Sequence, residues 1–289
     1  MTGFAEREWS SRDGLKLYAR DYPGASGGCR LPVICLHGLT RNSKDFEEAA
    51  PRIASSGRRV LVPDVRGRGR SDSDPNPQNY RPRVYARDIL DLMDRLGIAR
   101  AVFVGTSMGG LITMAVAAMR SRAVAAAVLN DVGPEIGRAG IERILSYAGQ
   151  PVTIENWKDA ADYVRRTNGS AFPGYSDSDW AAFAGRTFRE ENGRPVLDYD
   201  PDIAVPHANK PVKTRSLFAT LLFRRLARRR PTLLVRGEFS DLTTAEIASR
   251  MKRSAPSLQV AVVPGVGHAP ALAEPEAVAA IDEFLLAVP

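Results

Sequence analysis

The stretch Gly105-Thr106-Ser107-Met108-Gly109-Gly110 decides how this chain is read. It follows Ala101-Val102-Phe103-Val104, an apolar run of the kind found in a strand buried on both faces. It precedes residues 111–119, an Ala- and Met-rich apolar segment that reads as a buried helix. Gly-x-Ser-x-Gly between a strand and a helix is a tight elbow, in which the residues flanking the serine have no room for large side chains. The hydroxyl is pushed out of the turn, at the positive end of the helix dipole. A serine N-cap with glycines for packing is the alternative reading of the same residues. Partners elsewhere in the chain decide between the two.

A serine hydroxyl is a poor nucleophile at neutral pH and needs a base within hydrogen-bond reach. The chain has three histidines: His37 closes an early strand, His207 sits in Val205-Pro206-His207-Ala208, and His268 follows the last strand in Val263-Pro264-Gly265-Val266-Gly267-His268. A parallel sheet aligns its strand ends along one edge, and a glycine-flanked loop after the last strand can swing a side chain over the elbow. His268 is therefore expected as base, then acid. An imidazole in that role needs a carboxylate to fix its tautomer. Asp241, in Gly237-Glu238-Phe239-Ser240-Asp241 after the strand at 232–236, is the expected partner, with Asp131 and Glu238 as rivals. The order Ser107, Asp241, His268 is nucleophile, acid, histidine. The developing oxyanion needs donors. The backbone N–H of Met108, next after the serine, is one, and that of Leu39, after the His37 strand, is the other. His37 itself is expected to hydrogen-bond loop backbone, and Asp64 with the loop at 66–70 to be structural.

Outward from the elbow, strands and helices alternate. An opening hairpin turns at Asp13-Gly14. A Gly/Ser loop covers 23–30, strands cover 32–36 and 59–63, and helices run from Asn42 to about 53 and over 84–96. A strand follows at 124–129. The alternation stops at Asp131-Val132-Gly133-Pro134, and a polar, aromatic stretch continues to about 227, with short helices expected at 141–147, 157–166, 177–188 and 214–227. It then resumes with strands at 232–236 and 258–263 and helices at 245–254 and 276–286. The expected architecture is α/β: a mostly parallel sheet with helices on both faces and an inserted helical cap over the strand ends. The division is core 1–133, cap 134–227 and core 228–289.

Composition sets bounds. The 289 residues are 44% hydrophobic and 25% charged, as in a globular protein. No signal pattern opens the chain, no apolar run spans a bilayer, and a cytoplasmic location is expected. Cys29 and Cys35 read as reduced thiols, and no Cys/His cluster has zinc spacing. The formal charge of +7 is spread along the chain except for Arg224, Arg225, Arg228, Arg229 and Arg230, read as a solvated helix face. No nucleic-acid or membrane partner is expected, and a homo-oligomer is left open.

With these pieces assembled, the sequence resembles the α/β-hydrolase superfamily. The matching segments are Leu36-His37-Gly38-Leu39, Asp64 through Asp72, Leu96-Gly97-Ile98, Gly105 to Gly110 and Gly265-Val266-Gly267-His268. Within it the chain looks most like the branch of 3-oxoadipate enol-lactonases, carbon–carbon bond hydrolases and small-molecule esterases. The resemblance implies Ser107 as nucleophile, Asp241 as acid, His268 as base, Leu39 and Met108 as oxyanion donors, and no cofactor; no metal is expected. The chain departs from that pattern at Gly67-Arg68-Gly69, where relatives often read Gly-His-Gly. A second departure is Ala269-Pro270, where carbon–carbon hydrolases often place Trp after the histidine. The expected activity is hydrolysis of a small, partly apolar carboxylic ester or lactone through an acyl-enzyme. The alternatives on the same framework are a carbon–carbon hydrolase, an acyltransferase and a non-catalytic ligand-binding module.

Overall fold

The computed structural model describes residues 3–24, 30–207 and 214–289. Cys29 and the side chain of His207 lie outside the described residues. β1 (Ala5–Ser10) and β2 (Lys16–Tyr22) form the expected antiparallel hairpin, with Gly14 at φ +91°. After β3 (Val33–Leu36) the reading differs from the expected single helix. Asn42 caps a short 3₁₀ turn at Ser43–Phe46, and α1 (Ala49–Ser55) starts afresh. Pro51 explains the break, because its ring would meet the carbonyl four residues back if one helix ran through.

β4 (Val60–Asp64), α2 (Pro82–Arg95), β5 (Ala101–Thr106), α3 (Met108–Met119) and β6 (Val124–Asn130) follow. Between β6 and the next strand of the main sheet come α4 (Arg138–Tyr147), α5 (Trp157–Asn168), α6 (Asp177–Thr187), a hairpin of β7 (Phe188–Glu191) and β8 (Arg194–Leu197), and α7 (Leu217–Ala227). The hairpin occupies ground expected to be the end of a helix and loop. Its signal was the Asn192-Gly193 pair, whose positive φ values suit a two-residue turn. β9 (Thr232–Gly237), α8 (Ala245–Ser254), β10 (Gln259–Val263) and α9 (Pro275–Ala287) close the chain.

The main sheet has eight strands in the order β1-β2-β4-β3-β5-β6-β9-β10. From β4 to β10 neighbours are parallel; β2 pairs antiparallel with both β1 and β4. One apolar cluster lies on the α2–α3–α7–α8 face and a second on the α1–α9 face. Every residue of β6 is buried, which is why 124–129 reads as an unbroken apolar run. The chain winds one way from β3 to β4 and the other way from β5 onward. The crevice between the ends of β3 and β5 is thus the switch point where open α/β sheets bind ligands. A separate cluster around Phe172, Trp180 and Phe188 holds α5 and α6 together. α7, inside the segment expected to be cap, instead packs Phe223 and Leu226 into the α3 side of the main core.

Candidate active site

Ser107 sits between β5 and α3 with φ +51° and ψ −115°, a strained conformation for a residue with a side chain. The flanking glycines are sterically required. A Cβ on Gly105 would lie 2.5 Å from the Gly109 backbone, and one on Gly109 would lie 2.0 Å from the Leu36 carbonyl oxygen. The Ser107 N–H donates to the Asn130 carbonyl at 2.9 Å, fastening the elbow to the end of β6.

His268 reaches the elbow on the loop after β10. Its Nε2 lies 3.0 Å from Ser107 Oγ, and its Nδ1 lies 2.9 Å from Asp131 Oδ2. This loop approaches closely because Gly237 has no Cβ, which would fall 2.3 Å from the Gly267 carbonyl oxygen. Asn130 Nδ2 ties the same loop down by donating to the Pro270 carbonyl and to Thr106 Oγ1.

The carboxylate on the imidazole is therefore not the expected Asp241. Asp131 directly follows β6, one strand from the elbow, and is wholly buried at φ +57°. Its N–H donates to the Val235 carbonyl of β9 at 2.7 Å, which fixes the turn that aims the side chain at His268. Asp241 is held elsewhere by a two-pronged ion pair with Arg143 of α4, at 2.7 and 2.9 Å. Burial pushes the Asp241 carboxyl up, but the Arg143 guanidinium outweighs this and leaves it below the ordinary carboxylate range. The third contender, Glu238, accepts the Gly265 N–H and serves the turn after β10. The sequence marked Asp131 as a charged residue at the end of a buried strand, which needs a partner, but did not rank it above Asp241.

On the opposite side of Ser107, His37 is buried and joins the backbone of the turn, as its loop role requires. Its Nε2 accepts from Val65 N–H at 3.0 Å, so its Nδ1 carries the proton and donates to the Gly38 carbonyl at 2.8 Å. Burial lowers its pKa to about 4. That carbonyl shares a rigid peptide plane with the Leu39 N–H, so His37 fixes where this N–H points. Arg68 is buried and grips both sides of the crevice. Its Nε donates to the Leu39 carbonyl at 3.0 Å, and its Nη2 lies 3.7 Å from Met108 Sδ. It also donates to Tyr85 Oη and stacks over the Tyr80 and Tyr85 rings. Asp64 accepts from Ser43 and Arg70 N–H groups, and Arg66 is bound by Asp13, Asp74 and Asp88, so the rest of this loop is structural. Cys35 is a free, fully buried thiol whose pKa burial drives upward.

Above Ser107 and His268 lies a cavity of about 190 Å³. Leu39 and Arg41 line it from the core, and Tyr147, Phe172, Phe183 and Leu197 from the segment between β6 and β9. Phe172 stacks on Tyr175 at 4.5 Å, and the Arg41 guanidinium lies over the Phe183 ring while pairing with Asp45. The cavity combines this aromatic and aliphatic wall with charged side chains, Lys44, Asp45, Glu47, Glu48 and Arg186, and has the serine and imidazole at its floor.

An elbow serine bonded to a histidine that is itself bonded to a buried aspartate, at the switch point of a mostly parallel eight-stranded sheet, defines an α/β-hydrolase. The alpha/beta hydrolase fold family matches residues 32–275, and the chain belongs to that family. It is a hydrolase. It is 33% identical over 257 residues to a 3-hydroxybutyrate-oligomer hydrolase of Cupriavidus necator, covering 87% of each chain. It is 29% identical over 238 residues to a 2-(acetamidomethylene)succinate hydrolase of Mesorhizobium japonicum, covering 82% of this chain and 81% of the other. Among solved structures, an α/β hydrolase from Novosphingobium aromaticivorans superposes with a TM-score of 0.91 at 43% identity, covering 99% of both chains. No helix among the described residues is long and apolar enough to cross a membrane.

Proposed function

We propose that this chain is a cytoplasmic serine hydrolase of small carboxylic esters or lactones, acting through an acyl-enzyme on Ser107, His268 and Asp131. The observation that carries the reading is the unbroken chain of contacts Ser107 Oγ, His268 Nε2, His268 Nδ1 and Asp131 Oδ2, at 3.0 and 2.9 Å, beneath the cavity.

In this reading His268 takes the hydroxyl proton as Ser107 Oγ attacks the ester carbonyl. Asp131, buried and close to Nδ1, keeps the imidazole in the acceptor tautomer and stabilises the imidazolium. The negative charge on the former carbonyl oxygen is met by the N–H groups of Met108 and Leu39. Met108 opens α3, where a first-turn N–H has no acceptor within its own helix. Collapse of the tetrahedral adduct breaks the C–O bond, and the imidazolium proton passes to the leaving alcohol. Water then enters, loses a proton to His268 and releases the acid, restoring the serine.

Residues 134 to about 207 act as the cap and supply the apolar wall of the pocket, which suits a compact acyl group or ring. The similarity to the 3-hydroxybutyrate-oligomer hydrolase makes the ester bond between short hydroxy acids the first substrate class to try. The test is cleavage of p-nitrophenyl acetate and butyrate, and of a 3-hydroxybutyrate dimer, alongside fluorophosphonate labelling. Wild type should turn over at least one ester and label once, and Ser107→Ala should do neither. Wild-type protein that neither cleaves nor labels would overturn the reading.

A further inference from the structure

α7 shows an unusual outer face. Phe223, Leu226 and Ala227 point into the core, while Leu217, Phe218 and Leu221 point outward and are 85%, 68% and 62% exposed. Arg224, Arg225 and Arg228 continue that outward face, since positions 217, 221, 224, 225 and 228 fall on one side of a helix. Residues 214–230 hold six arginines and no aspartate or glutamate. Arg230 is occupied by the Ser121 and Val124 carbonyls and Arg228 reaches the Ser254 carbonyl. No side-chain ion pair among the described residues engages Arg224, Arg225 or Arg229. The helix thus presents large apolar side chains at its start and uncompensated guanidinium groups one to three turns later.

Of three candidate partners, two meet one half of this pattern each, and one meets both. A nucleic acid would pair with the arginines and leave Leu217, Phe218 and Leu221 in water. A second copy on a two-fold axis would cover the apolar residues but bring no acidic side chain from 214–230 to the arginines. An anionic lipid surface accepts both, with apolar side chains entering the acyl boundary and guanidinium groups at the phosphates. We propose that the outer face of α7 docks this protein on anionic membrane surfaces, lying on the bilayer without spanning it. The proposal is independent of the chemistry assigned to Ser107.

The test is flotation of the full chain with vesicles of phosphatidylcholine alone and of phosphatidylcholine mixed with phosphatidylglycerol. Two variants are compared, Leu217→Ser/Phe218→Ser/Leu221→Ser and Arg224→Gln/Arg225→Gln/Arg229→Gln. All six positions face solvent, and unchanged thermal unfolding would verify that both variants fold. The expected result is binding to the acidic vesicles that weakens with added salt and falls at least about tenfold in each variant. Absence of binding, or equal binding to neutral vesicles, would overturn the proposal. So would sedimentation showing a dimer that only the apolar variant dissolves, or duplex DNA binding that only the arginine variant loses.

Discussion

Asp131 and Asp241 follow neighbouring strands, β6 and β9, yet only Asp131 meets the imidazole. Asp131 is completely buried, its backbone held in a left-handed turn by β9, and its carboxylate has His268 beside it. The Asp241 side chain is 31% exposed and already answered by Arg143. Its backbone is wedged under the start of α4, where the Gly137 N–H donates to the Leu242 carbonyl and Gly140 leaves room for the Asp241 peptide. A strand-end position brings a carboxylate near the site. What commits it is the nearest cation and the direction the backbone imposes.

The largest expected effect tests that contrast directly. Asp131→Asn should lower kcat by about 10⁴-fold by disturbing the histidine tautomer, while Asp241→Asn stays within about threefold of wild type. The reverse outcome would reassign the acid. Removing the competing cation sharpens the point: Asp131→Asn/Arg143→Ala should be no more active than Asp131→Asn alone, because the wedged backbone keeps Asp241 from turning. A recovery of tenfold or more, roughly 1.4 kcal/mol, would mean that Arg143 alone decides the choice.

The same difference between buried and screened groups predicts how stability depends on pH. His37 is neutral in the folded protein because burial lowers its pKa to about 4, whereas an unfolded chain protonates it near 6.5. Between those values the unfolded state binds more protons, so stability falls as pH drops through this window, by about 3 kcal/mol for this group. Chemical denaturation of wild type from pH 7 to 4 should show this loss, and His37→Gln should show a shallower slope over the same range. Parallel slopes would place the acid sensitivity elsewhere.

A smaller effect is expected at Arg68, which touches both residues proposed as oxyanion donors. Arg68→Met should lower kcat by about 10- to 100-fold with KM nearly unchanged, since a loosened donor weakens transition-state contacts more than substrate binding. A change confined to KM would argue against that positioning role. The smallest effect belongs to the pair opposite Asp131: Arg143→Ala should cost under about 1 kcal/mol in urea unfolding, because the ion pair is partly solvated.

Much of this was legible in the chain itself. Glycine spacing around Ser107, the unbroken apolar runs of β3, β5 and β6, and the strand–helix alternation are local signals, and they specify a parallel sheet with an exposed elbow serine. His268 could be found because few histidines compete and its glycine-flanked loop follows the last strand. The order of residues in the chain could not separate Asp131 from Asp241. That choice rests on a hydrogen bond from β6 to β9, a left-handed turn at Asp131 and an arginine contributed by α4, all contacts between segments distant in sequence. The role of Arg68 was hidden for the same reason, since a buried guanidinium is defined by the carbonyls and rings that close around it. Periodicity and steric fit act between near neighbours and are written in the sequence. The partner of a buried charge is settled only when the folded chain has brought every competitor within reach and excluded the water that would otherwise have satisfied them all.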